Sequence, residues 1–174
     1  VATFITRTIR VLEKAASWPG MAAAWLVVPL ILFTDYDVFS RYLFTAPTIW
    51  AFELGYMAMG AHFLLGAAYT QRERGHIRID LLYSRLSPKA QAAIDLTGYV
   101  LLVLPFLCWT DWHLLTYTLR SYASGERSGQ SAWNPVIWPF RAVFFLAFAC
   151  LALQIAADSL RAARRLLSTE EDGR

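Results

Sequence analysis

Apolar residues fill most of the chain in long runs, and one extended polar interruption, 71–89 (Gln-Arg-Glu-Arg-Gly-His-Ile-Arg-Ile-Asp-Leu-Leu-Tyr-Ser-Arg-Leu-Ser-Pro-Lys), divides them. The runs on either side are each long enough to cross a hydrocarbon core, which takes roughly 20 apolar residues as a helix. The pattern predicts an all-α integral membrane protein: four transmembrane helices at about 18–43, 47–70, 90–122 and 135–165, plus short amphipathic interfacial helices, in a single membrane domain over 1–174. Within the interruption, Ile79, Leu82, Tyr83 and Leu86 recur at helical spacing while Arg78, Asp80, Ser84 and Arg85 point elsewhere. This is the signature of a short helix lying in the membrane surface, flawed only by Leu81. Residues 1–16, with Phe4, Ile5, Ile9 and Leu12 beside Arg7, Arg10 and Lys14, carry a weaker version of the same pattern.

Local signals refine the spans. Trp18 sits at one interface, Pro29 predicts a kink in the middle of the first span, and Tyr36 and Tyr42 mark the opposite belt. Pro47 can take a first-turn position of the second span, followed by Trp50 and Glu53. Ala51, Gly55, Ala58, His62, Gly66 and Tyr69 share one helical face, mostly of small residues, so this helix is expected to pack closely on others. Ser87-Pro88 predicts a capped start for the third span, whose roughly 30 residues reach about 45 Å and must tilt, kink at Pro105 or project beyond the bilayer. The Gly/Ser-rich loop 121–134 ends in Asn134-Pro135, a second cap-plus-proline start, and Gln154 lies centrally in the fourth span.

Charge orients these spans. Arg7, Arg10, Lys14, Arg72, Arg74, Arg78, Arg85, Lys89, Arg161, Arg164, Arg165 and Arg174 gather on one side, against Arg41, Arg120, Arg127 and Arg141 on the other. The positive-inside rule therefore places both termini and the 71–89 loop in the cytoplasm and the 121–134 loop on the outer side. With 57% hydrophobic residues and a mean hydropathy of +0.39, the chain is too apolar for an ordinary soluble domain. Its net charge of +3 reflects topology, and no nucleic-acid role is read from it. Cys108 and Cys150 lie alone inside apolar runs and suggest neither a metal site nor a disulfide. The basic start followed by an apolar run lacks a small-residue cleavage pattern and is read as a retained first span.

Ionisable residues inside spans are functional candidates by default, because burying one in lipid is costly. Here Asp35, Asp37, Arg41, Glu53, Asp111 and Arg141 map towards the outer side and Asp95 and Asp158 towards the inner, consistent with interface-level charges or helix pairing. Arg41 and Glu53 are the expected partners across the first hairpin. Two membrane histidines could hold a haem iron, but His62 and His113 fall at different depths, and His62 is expected as a packed polar residue between helices. No phosphate loop, His-Glu-x-x-His or Gly-x-Ser-x-Gly occurs. Accordingly no catalytic residue, metal or cofactor is assigned.

The succession Phe39-Ser40-Arg41-Tyr42-Leu43-Phe44, then Trp50 and Glu53, then Leu64-Leu65-Gly66-Ala67-Ala68 and Arg74-Gly75-His76-Ile77-Arg78-Ile79-Asp80 resembles the small membrane subunit of tripartite ATP-independent periplasmic (TRAP) transporters, the DctQ-like family, over roughly 18–165. The resemblance implies a bacterial inner-membrane scaffold for a large multi-span permease subunit (DctM-like). That subunit carries solute and sodium by an elevator-type movement. A periplasmic solute-binding protein (DctP-like), commonly delivering a carboxylate, is the third partner. It further implies structural or subunit-interface roles for Arg41, Trp50, Glu53, His76 and Asp80, with Glu53 shaping the outer surface and His76 and Asp80 fastening the cytoplasmic turn. On that topology Glu126, Arg127 and Trp133 become candidates for contact with the binding protein.

Two other readings remain open on residues alone. One is a haem- or quinone-binding membrane anchor of a redox enzyme; the other is a small self-contained channel or carrier. The solute, ion stoichiometry and oligomeric state are not written in this chain.

Overall fold

The computed structural model describes residues 2–75 and 83–171, with the side chains of 6–75 and 83–167. Its elements are α1 (Ala2–Ala24), α2 (Val27–Phe44), α3 (Ala51–Arg72), α4 (Pro88–Gly98), a π-helical turn (Tyr99–Val103), α5 (Leu104–Ser124) and α6 (Trp138–Glu171). Among the described residues, Thr6–Phe44, Pro88–Ser124 and Trp138–Leu167 are long and apolar enough to cross a membrane. The expected second span, α3, folds as one 22-residue helix but falls outside that set. Its small and polar residues, Gly55, Gly60, Thr70 and Gln71 among them, give up hydropathy for contact with neighbours.

The amino-terminal segment departs from the expected surface helix. α1 runs through Trp18 and Pro19 and packs against both α3 and α6, burying Ile9, Ala16 and Ala23. Its packing stripe is Ala16, Gly20 and Ala23, a small-residue face that the basic residues beside it had disguised. At Gly20 the helices nearly touch: a Cβ there would lie 2.8 Å from the Leu65 carbonyl oxygen and 2.9 Å from the Tyr69 Cβ. Ala16, Ala68 and Cys150 form one buried cluster and Ala23, Leu65 and Ala147 another, so α1, α3 and α6 make the core.

Both proline signals act upstream of the proline itself. Pro29 cannot donate to the Trp25 carbonyl, and the chain tightens there instead, with Trp25, Leu26 and Val28 amides donating three residues back at 3.2, 2.9 and 3.1 Å. The break therefore falls at Trp25–Leu26. Likewise the turn before Pro105 widens, and the Leu104 amide donates five residues back to Tyr99.

α2 packs chiefly on α3 and has no buried residue, while α4 and α5 pack on α6. Two helix starts come later than expected. α3 begins at Ala51, after a turn that holds Pro47, and α6 begins at Trp138, because Pro135 and Val136 belong to the preceding loop. Ser87 does cap α4, accepting from the Ala90 amide at 3.3 Å ahead of Pro88.

Candidate functional site

Polar side chains gather at the two ends of the bundle. At the end carrying Arg72 and Arg161, here the basic end, the hub is Asp158 on α6. It accepts from Gln71 of α3 at 3.0 Å, from Gln154 at 3.4 Å and from Arg161 at 3.1 Å. Arg161 also pairs with Glu13 of α1, and Arg72 reaches the Ser17 hydroxyl at 3.0 Å. Three helices are thus tied through one part-buried polar network, whose members polarise one another. Sequence reasoning singled out neither Gln71 nor Glu13, because a polar residue at a helix end reads as solvated until its neighbour is known. Nearby, the Tyr83 hydroxyl donates to Asp95 at 2.7 Å, tying α4 to the residues before it. His76 and Asp80 lie outside the described residues.

His62 has a local structural task. Its Nδ1 lies 3.0 Å from the carbonyl oxygen of Ala23, at the break between α1 and α2. A carbonyl only accepts, so Nδ1 carries the proton and the ring braces the broken turn. His113 is elsewhere, edge-on to Trp109 at 4.5 Å and lining a cleft of about 540 Å³ with Trp112, Tyr117 and Arg120 on α5. The two histidines do not converge.

At the opposite end, here the loop end, the Arg41–Glu53 pair is not formed. Arg41 turns one helical turn back to Asp37 at 2.5 Å, and Asp37 spans the hairpin itself, accepting from the Thr48 amide at 3.0 Å and the Thr48 hydroxyl at 2.6 Å. Trp50 seals the same hairpin, stacked on Tyr36 at 5.5 Å and edge-on to Phe33 at 6.0 Å. Glu53 faces the other way. It is fully buried, and the Ser128 hydroxyl lies 2.8 and 3.0 Å from its two oxygens. The i to i+4 proximity of Asp37 and Arg41 was visible in the sequence and outcompeted the longer hairpin pairing.

The loop that supplies Ser128 is built, not slack. α5 ends at Gly125, whose φ of +62° suits glycine, and the Glu126 amide returns to the Ser121 carbonyl at 3.1 Å. Arg127 and Val136 then form an antiparallel bridge, flanked by Ser128 donating to Pro135 at 2.9 Å and Ile137 donating to Glu126 at 3.0 Å. Asn134 closes the tip by accepting from the Gly129 amide at 2.9 Å, so it does not cap α6. Of the three docking candidates, Glu126 grips Arg141 with both carboxylate oxygens and Arg127 donates to the Asn134 carbonyl at 2.9 Å. All three are exposed, and Trp133, at 38%, is the large apolar one among them. Arg141 also reaches the Tyr117 hydroxyl at 2.6 Å and lies over that ring at 3.6 Å. The Arg141 hydrogen bonds hold the Glu126 carboxyl below its ordinary range.

The polar groups at both ends therefore hold helices and loop to one another. The outer surface is instead apolar and aromatic, with Phe39, Tyr42, Phe44, Phe52 and Phe63 all well exposed. Residues 30–165 match the family described as Tripartite ATP-independent periplasmic transporters, DctQ component. No curated protein and no solved structure matches the chain.

Proposed function

Because the chain belongs to the DctQ family, and is thus a small permease subunit of a tripartite periplasmic transporter, we propose that it is the fixed, non-catalytic scaffold on which a large elevator-type permease subunit assembles. One observation carries this reading: α2 spans 18 residues without burying one, and packs chiefly on α3. A helix so weakly covered by its own chain presents its remaining faces to lipid or to another membrane subunit, and Phe39 and Tyr42 on it offer aromatic packing surface. On this reading α3 also spans the membrane, one face packed on its neighbours and Phe52 and Phe63 on the other, the basic end lies in the cytoplasm of a bacterial inner membrane, and sodium-coupled carboxylate uptake is carried by the partner. The bridged loop at the other end then meets the periplasmic binding protein, with Trp133 as the aromatic contact and Glu126 and Arg127, also exposed, holding the loop in shape.

The test is site-directed cross-linking in membranes in which the chain is co-expressed with a large subunit of such a transporter. Phe39→Cys and Tyr42→Cys are expected to cross-link to it, and Ala147→Cys, in the buried core, is not. Cross-linking from none of the exposed positions on α2 sinks the interface assignment. Trp133→Ala is expected to lower binding-protein-dependent uptake while the two membrane subunits still co-purify; unchanged uptake removes the docking role.

A further inference from the structure

Four arginines border one cleft at the basic end: Arg10 from α1 and Arg161, Arg164 and Arg165 from α6. The cleft measures about 410 Å³ and is completed by Thr6, Ile9 and Glu13. Its one bordering carboxylate, Glu13, is paired with Arg161, which also meets Asp158. Among the described residues no carboxylate pairs with Arg10 or with Arg164, whose Nη1 goes to the Thr6 hydroxyl at 3.0 Å. Holding several guanidinium groups this close is unfavourable unless an anion joins them, and a planar guanidinium presents paired donors suited to phosphate oxygens.

The position of the cleft selects the source of that phosphate. Arg161, Arg164 and Arg165 follow the apolar run of α6 and Arg10 precedes that of α1, so the cleft lies where both runs give way to charge. We propose that this cleft binds the phosphate of an anionic phospholipid headgroup, which clasps α1 to α6. Basic pockets between membrane helices are suited to such headgroups, whose acyl chains keep the phosphate at the ends of the apolar runs as a free phosphate is not kept.

Native mass spectrometry of the full chain in non-ionic detergent tests this, with phosphatidylglycerol, phosphatidylcholine and inorganic phosphate as probes. One phosphatidylglycerol is expected to be retained in preference to phosphatidylcholine, and Arg10→Gln and Arg164→Gln should each weaken retention about fivefold. Arg164→Lys should recover part of that loss, since it keeps the charge without the fork. Equal retention of the two lipids overturns the proposal. So does displacement of the lipid by millimolar phosphate, which would make this a site for a free anion. Should Arg164→Gln fail to fold, Arg10→Gln decides alone, because Arg10 is exposed; unchanged retention in that variant is a refutation.

Discussion

At the basic end Asp158 collects donors from Gln71, Gln154 and Arg161 and joins, through Arg161 and Glu13, three helices that also share a core of alanines. At the loop end Glu53 meets one serine hydroxyl, and Arg141 meets a carboxylate that is 43% exposed. The first arrangement cannot be opened without parting α1, α3 and α6. The second can be released by lifting a loop, after which water satisfies every group left behind. On the proposed reading, the difference suits a subunit whose membrane core holds its shape while this loop adjusts to the binding protein.

Breaking the basic end should have the largest effect. Asp158→Ala leaves three donors without their shared acceptor and is expected to cost about 3 kcal/mol, read as a lowered midpoint of thermal unfolding in detergent. A loss as small as that of a surface substitution would show that water already enters the network. Next comes Gly20→Leu, whose side chain has no room against the Leu65 carbonyl. It should cost roughly 2 to 3 kcal/mol by forcing α1 off α3, and should raise proteolysis within α1. Ser128→Ala isolates a buried carboxylate, at a local cost of about 2 kcal/mol, yet the loop can release and rehydrate Glu53. Faster amide exchange confined to 125–137, with the unfolding midpoint nearly unchanged, is therefore expected. A global drop equal to that of Asp158→Ala would erase the contrast between the ends.

The smallest effect is that of pH on the Glu126–Arg141 clasp. The Glu126 carboxyl is held below its ordinary value of 4.5, so its contribution is complete above that value and is lost as pH falls through the lower folded one. Protection of the Ile137 amide, which donates to the Glu126 carbonyl, should stay level from neutral pH to about 5 and fall only on the acid side. Arg141→Gln should abolish the step, and an unchanged step would assign it to another carboxylate.

Hydrophobic runs, the 71–89 interruption and the clustering of arginines were enough to read an all-α membrane chain with basic ends, because span length and the cost of burying charge depend on sequence alone. The family resemblance was likewise legible in short motifs, and its residues match the family over 30–165. The small face of α3 was recognisable, and its buried residues Ala51 and Gly55 lie on it, but farther along the contact shifts to Ala61, Leu65 and Ala68. That shift depends on where α1 crosses, which Gly20 decides. Which charges pair was decided only in three dimensions. Arg41, Asp37 and Glu53 are each compatible with several partners, and the choice follows from the side of α3 that faces the loop. The amphipathic look of 1–16 misled for the same reason: Glu13, and Ser17 just beyond, face other helices. A sequence records which residues are polar, whereas the partner that satisfies each one is a property of the packed bundle.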